Sequence, residues 1–250
     1  IKNENEVVSL GNDLETLVLG GQWNVNVEAR VGEAYGALYG PGYARNDAGE
    51  IILTNGLPTV GERKILGNVT PDWTGGANLT VAYKNFTFGT LVDAKIGGDI
   101  FSMTNTWGRY AGVLAETLEG RETGVVAAGV MNAGTADNPV WVENDVVVPA
   151  KQFNQAAYTS SIAEGSVFDA SYVKLRQVSV GYKLPNKVLN RTGLDEISLS
   201  VVGRNLAFIH KEAPHIDPES AFSNSNGNQG IEFGQLPSAR SIGFNIGVKF

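Results

Sequence analysis

Apolar and polar residues alternate with period two over several long stretches of this chain, the pattern of strands whose two faces meet different surroundings. The sharpest stretch is Ser241–Phe250. Ile242, Phe244, Ile246, Val248 and Phe250 fall on one face, and Ser241, Gly243, Asn245, Gly247 and Lys249 on the other. A transmembrane β-strand needs about 9–11 residues, so this stretch is long enough to cross a bilayer. Leu79, Val81 and Tyr83 alternate with Thr80, Ala82 and Lys84, and Asn85 marks a short turn. Phe86, Phe88, Thr90, Val92, Ala94 and Ile96 then alternate with Thr87, Gly89, Leu91, Asp93 and Lys95. Tyr172–Leu184 predicts another strand, with Val173 and Leu175 in one phase and Val178, Val180 and Tyr182 in the other. Either a β-bulge between them restores a common face, or the first part sits above the membrane. After a turn over Pro185–Glu196 come Ile197, Leu199 and Val201, and the phase shifts again at Gly203–Leu206 toward Phe208.

The remaining segments read differently. Leu14–Leu19 and Trp23–Val31 predict weak strands, and Val31–Gly42 a glycine-punctuated loop. Asn46–Gly49 predicts a turn feeding a short strand at Glu50–Leu53, and Asn55–Gly56 is a tight-hairpin signal. Leu66–Trp73 predicts an irregular segment. Residues 98–165 do not read as strands; Tyr110, Leu114 and Leu118 predict one short amphipathic helix over Trp107–Glu119. An excursion of that length is uncommon inside a compact domain. A second polar loop runs from about His210 to Pro237. The short turns near Asn85 and Pro185 thus lie on the same side as the chain end, and the long loops on the other. Two all-β architectures fit the alternation: a secreted β-sandwich, as in an adhesin or carbohydrate-binding module, and a membrane barrel. The asymmetry of the connections favours the barrel, where short periplasmic turns oppose long extracellular loops.

Composition narrows the chemistry. Mean hydropathy is −0.08, and no run approaches the roughly 18 apolar residues that a spanning helix requires. Barrel strands escape that test because half of each is polar. A net charge of −7 without a basic cluster argues against a nucleic-acid partner. The absence of cysteine excludes disulfides and thiolate metal sites. His210 and His215, with Glu212, Asp217 and Glu219 nearby, match no strong metal-ligand spacing. No Gly-x-Ser-x-Gly elbow occurs, and nothing singles out a carboxylate pair for glycoside hydrolysis. Catalysis, a metal and a cofactor are therefore not expected. The long loop instead carries Trp107, Tyr110, Trp141, Phe153 and Tyr158, whose flat rings can stack on sugar or peptide faces. Asp99 and Arg109, near its root, are candidates for polar contacts with a ligand.

Several segments match a known family in order and spacing. They are Leu66-Gly-Asn-Val-Thr-Pro-Asp-Trp-Thr-Gly-Gly76, Tyr83-Lys-Asn-Phe86 and Gly97-Gly-Asp-Ile-Phe101, then the run from Asp169 to Pro185. Gly203-Arg-Asn-Leu-Ala207, Asp217-Pro-Glu219 and the run from Pro237 to Ile246 complete the set. Over residues 60–250 the chain resembles the C-terminal part of SusC/RagA-type TonB-dependent outer-membrane transporters. The resemblance implies an all-β fold in which residues 1–250 supply the C-terminal strands of a large antiparallel transmembrane barrel, about 22-stranded, with long extracellular loops. It implies import of oligosaccharides or peptides across the outer membrane of a Gram-negative bacterium, energised through TonB, beside a SusD-like surface lipoprotein. The plug domain and TonB-contacting segment lie at the family's N-terminal side and are not found in this sequence. Other strands are expected to complete the wall, because lipid does not tolerate open sheet edges. Ile242, Phe244, Ile246, Val248 and Phe250 would then face lipid, with Phe250 as the family's terminal aromatic.

Overall fold

A computed structural model describes residues 1–158, 161–190, 193–220, 222–223 and 225–250. Along the chain come strands β1 (Thr16–Gln22), β2 (Val25–Arg30), β3 (Ala37–Tyr43) and β4 (Val60–Asn68). Next are β5 (Trp73–Tyr83), β6 (Phe86–Ile96) and β7 (Asp99–Ser102), followed by helices α1 (Met103–Ala111) and α2 (Ala150–Ala157). The last strands are β8 (Val167–Asp169), β9 (Tyr172–Lys183), β10 (Glu196–Lys211), β11 (Ile231–Glu232) and β12 (Ser241–Lys249).

The five long alternating stretches form one antiparallel sheet in the order β12-β10-β9-β6-β5. Register aligns their apolar faces into rungs. Tyr83, Phe86, Tyr182, Leu199 and Ile246 form one row; Val81, Phe88, Val180, Val201 and Phe244 form the next. On the opposite face the intervening rows are, apart from Val202, small or polar: Ala82, Thr87, Gly181, Ser200, Asn245, then Thr80, Gly89, Ser179, Val202, Gly243. The apolar rows are bare. Leu79, Val81, Tyr83, Phe86, Phe88, Val180, Leu199, Val201, Phe244 and Ile246 are all exposed, Phe244 at 76%. Soluble monomers rarely show contiguous apolar patches above a few hundred Å². Among the described residues no second sheet lies over this one, which overturns the sandwich alternative. Aromatic Tyr83, Phe86 and Tyr182 cluster at the short-turn end, with Phe86 and Tyr182 4.6 Å apart between ring centroids.

Turns and bulges follow the chemistry. Tyr83 pairs directly with Phe86, so Lys84–Asn85 is a two-residue loop, with Lys84 at φ 53°. The phase slip in β9 is a bulge: Leu175 and Gln177 both pair with β6 and β10 while Arg176 is skipped. The shift in β10 is its counterpart, with Asn205 left-handed at φ 51°. The Asn55–Gly56 signal also forms a tight hairpin, joining Leu53–Thr54 to Leu57–Pro58 with both turn residues at positive φ.

The end of the sheet bearing Trp73, Ile96, Tyr172 and Lys211 carries a packed head. Strands β1 to β4 form a consecutive antiparallel sheet there, and β8-β7-β11 a small mixed one. Val25, Val27, Leu38, Val69, Phe101, Met103, Ala163 and Ile231 make its main core. Ile100, Ala170, Ala213 and Ile216 make a second. Residues 98–165 and about 210–237, long loops by sequence, therefore fold back onto the first seventy residues.

Five expectations need correction. Residues 98–165, expected to hold no strands, contain β7 and two short hairpin pairs, Val125–Val126 with Val147–Val148 and Val130–Asn132 with Trp141–Glu143, closed by backbone pairing and not by alternation. The Val31–Gly42 loop contains strand β3: Ala37 and Leu38 are buried, and its glycines mark close approach instead of a turn. A Cβ on Gly40 would sit 3.1 Å from Leu66 and 3.2 Å from Val25 side-chain carbons. Residues 66–68 continue β4 for the same reason, since a Cβ on Gly67 would collide with the Asp99 carboxylate. Strand β1 begins two residues later than expected, and Trp23 occupies the β1–β2 turn at φ 56°. Helix α1 spans Met103–Ala111, earlier than 107–119, because Ser102 caps its start and left-handed Gly112 (φ 73°) ends it. Ala115–Leu118 forms only a 3₁₀ turn.

Candidate functional site

Helix α1 starts in a buried polar knot. The Ser102 hydroxyl accepts the Asn105 N–H at 3.1 Å and donates to Glu232 Oε2 at 2.7 Å. Thr104 donates its backbone N–H and its hydroxyl to the same carboxylate. A carboxylate at a helix N-terminus also complements the macrodipole. Asn105 Nδ2 donates to the Pro214 carbonyl, and the Thr106 hydroxyl lies 2.7 Å from Ser166 Oγ. Three segments distant in sequence thus fix one short helix. Helix α2 is held beside it: Gln155 donates to the Tyr110 carbonyl at 3.3 Å, and the Tyr43 hydroxyl donates to the Ala157 carbonyl at 2.9 Å. Burial raises the Tyr43 hydroxyl's pKa, with Tyr158 and Glu164 adding to the effect, so it stays protonated as a donor.

A cleft of ≈ 440 Å³ opens between the two helices, lined by Arg109, Tyr110, Arg121, Glu122, Lys151 and Asn154 among others. The Arg109 guanidinium lies 4.1 Å from the Tyr158 ring centroid. Tyr158 meets Phe153 edge-to-face at 6.4 Å. Arg121 bridges the Thr117 and Gly112 carbonyls and the Thr117 hydroxyl. Trp107, 51% exposed, lies beside a separate apolar groove of ≈ 500 Å³ that includes Met103, Ala111, Val113 and Phe233. It meets Trp23 of the β1–β2 turn edge-to-face at 5.5 Å.

The structure therefore divides the candidate ligand residues. Arg109 and Tyr110 line the α1–α2 cleft, Tyr158 lies against the Arg109 guanidinium, and Trp107 belongs to the neighbouring groove. Trp141 is elsewhere, opposite Asn132 in a small hairpin. Asp99 is turned to structural use: its Oδ2 accepts the Asn68 N–H at 2.8 Å, and burial raises its carboxyl above the usual range. Sequence reading missed Arg121, Glu122, Lys151 and Asn154. Helix α2 is only two turns long and carries no capping side chain, so no periodic signal announced it.

The other chemistry-bearing groups have structural partners. His210 pairs with Glu212 at 2.8 Å and His215 with Glu116 at 2.7 Å. Among the described residues no group of three His, Asp or Glu could hold a metal. Asp217 and Glu219 anchor the second long loop to the sheet. Lys174, 1% exposed, faces Asp217 at 3.6 Å and pairs with Glu219; Arg176, freed by the bulge, joins Glu219 to Asp93. Glu164 likewise ties its 3₁₀ turn to β3 and β4 through Arg45 at 2.7 Å and Lys64 at 2.9 Å. Burial would raise its carboxyl, but those cations and the Tyr43 N–H outweigh it and hold it low.

No protein-family model matches the chain. Over 247 residues, 88% of the chain, it is 31% identical to TonB-dependent receptor P3 of Formosa agariphila. It is 22% identical over 78% of its length to TonB-dependent receptor P26 of the same organism. The chain spans 23% and 19% of the lengths of these two curated relatives. A solved structure of the RagAB peptide transporter matches all of the chain and 26% of that chain, with a TM-score of 0.63 at 19% identity. The RagAB peptide importer in its open-open state matches at a TM-score of 0.60 and 18% identity. The relatives are named as receptors and importers, and none as an enzyme. Matched in sequence over most of its length and in fold over all of it, the chain belongs to the TonB-dependent receptors and has the fold of part of the RagAB transporter.

Proposed function

We propose that this chain forms the final wall strands and part of the outer mouth of an outer-membrane importer energised through TonB. The observation that carries this reading is the one-sided ladder of bare apolar rungs across β5, β6, β9, β10 and β12, opposite a face of small and polar residues. Lipid on one side and a watery lumen on the other account for both faces. Ile242, Phe244, Ile246, Val248 and Phe250 are all exposed, in keeping with the lipid contact expected for β12 and the chain end. Strands β5 and β12 lie at the sheet's two edges, and in the assembled receptor neighbouring strands would pair with them. The head would lie at the outer face, since it occupies the end opposite the short turns.

The cargo is proposed to be an oligosaccharide or peptide, handed over by a SusD-like lipoprotein, with the plug and TonB contact supplied by other parts of the receptor. Support for this comes from the receptor and importer names of the relatives and from the exposed aromatic and cationic residues of the head. Deleting the receptor gene should abolish growth on the cargo, and deleting TonB should do the same while leaving surface binding intact. Extraction offers the simplest refutation: a receptor that stays soluble and monomeric without detergent would overturn the reading.

A further inference from the structure

The α1–α2 cleft is cationic in an acidic chain. Net charge is −7 overall, yet Arg109, Arg121 and Lys151 line the cleft against a single carboxylate, Glu122. Elsewhere Arg30, Arg45, Lys64, Lys174, Arg176 and Lys183 each meet a carboxylate. Among the described residues none of the three cleft cations forms such a pair. Two of them are also held in place. Arg121 is fixed by the Thr117 and Gly112 carbonyls, and Arg109 lies against Tyr158 with its Nε buried and lacking an acceptor. Three cations facing one carboxylate leave an excess of positive charge, and planar guanidinium groups fixed in advance suit bidentate oxyanions. Tyr110, exposed at the rim, adds a flat wall.

We propose that this cleft binds an oxyanion, a carboxylate or sulfate ester, carried on the transported oligomer, so that the receptor selects negatively charged cargo. The proposal rests on the import reading for its cargo, and its test separates the two. Lys151 and Glu122 are exposed, so Lys151→Glu and Glu122→Gln should leave the intact receptor folded. Calorimetry on the full-length receptor in detergent would use sulfate, a short oligogalacturonate, an acidic hexapeptide and a neutral oligosaccharide of matched length. The anionic probes should bind and the neutral one should not. Lys151→Glu should weaken binding about tenfold at low salt, Glu122→Gln should tighten it about threefold, and high salt should shrink both effects. Whether the oligogalacturonate or the peptide shows the variant-sensitive binding identifies the carrier of the charge. Absence of binding by every anionic probe, or binding indifferent to both variants, overturns the proposal. Uptake scored in cells with and without TonB tests import separately: uptake that needs no TonB defeats the import reading and leaves the binding result standing.

Discussion

Asp99 shows how one residue can look like a ligand contact and serve as a strut. Its carboxylate accepts the Asn68 N–H at 2.8 Å, and Gly67 leaves the space it occupies. Asp99→Ala should cost roughly 1–3 kcal/mol by orphaning a buried donor. Asp99→Asn, whose amide oxygen still accepts, should be nearly neutral and sheds a charge that burial disfavours. Denaturant unfolding of the purified receptor would distinguish the two; equal losses from both would return Asp99 to the list of ligand candidates. Lys174 is the opposite case, a charge whose burial is sustained by its partners. Lys174→Met should cost about 3–5 kcal/mol because Asp217 and Glu219 would keep their charge without it. Faster proteolysis within residues 212–240 would report the loss.

At the scale of elements, the bulge at Arg176 joins a strand to a loop. A regular β9 would keep Arg176 in the ladder; skipping it turns the guanidinium toward Asp93 and Glu219. The loop beyond β10 is then held by carboxylates whose protonation is coupled to folding. Burial alone would raise both Asp217 and Glu219. Donors outweigh it, Ser238 and the Glu219 N–H for Asp217, and Arg176, Lys174 and Tyr172 for Glu219, so both carboxyls lie below their usual range. A depressed carboxyl lends its full stability above the unfolded value, about pH 4, and loses it as pH falls through the folded one. The 212–240 loop should therefore remain attached from neutral pH down to about pH 4 and open below it. Hydrogen exchange that rose in this loop already near pH 6 would contradict the assignment.

At the scale of the whole molecule, the two faces of the wall should respond differently to the same charge. Phe244→Arg or Ile246→Arg places a cation on the bare apolar face, at a cost of about 2–4 kcal/mol near the bilayer midplane. Asn245→Arg, one residue away on the small, polar face, should cost little. Folding titrations of the full receptor into lipid vesicles measure the difference directly. Similar costs on both faces would mean that the wall is not a lipid boundary.

The sequence by itself determined the wall. Period-two alternation is a local property, and the long strands carry enough of it to show their faces and the phase slip between Leu175 and Val178, while register and the bulge itself came with the pairing of strands. Its turns were equally local, as at Lys84–Asn85 and Asn55–Gly56. The head was decided only by tertiary structure. Strand β3 is hidden in glycines whose meaning depends on Leu66 and Val25 packing against them, and the Ser102 cap of α1 is held by Glu232, some 130 residues away. The cleft followed the same rule. Arg109, Tyr110 and Tyr158 were visible as residue types, but Arg121 and Lys151 join them only because α2 docks beside α1 through Gln155 and Tyr43. Alternation records what each strand face meets, whereas contacts between distant segments leave no periodic mark on the chain.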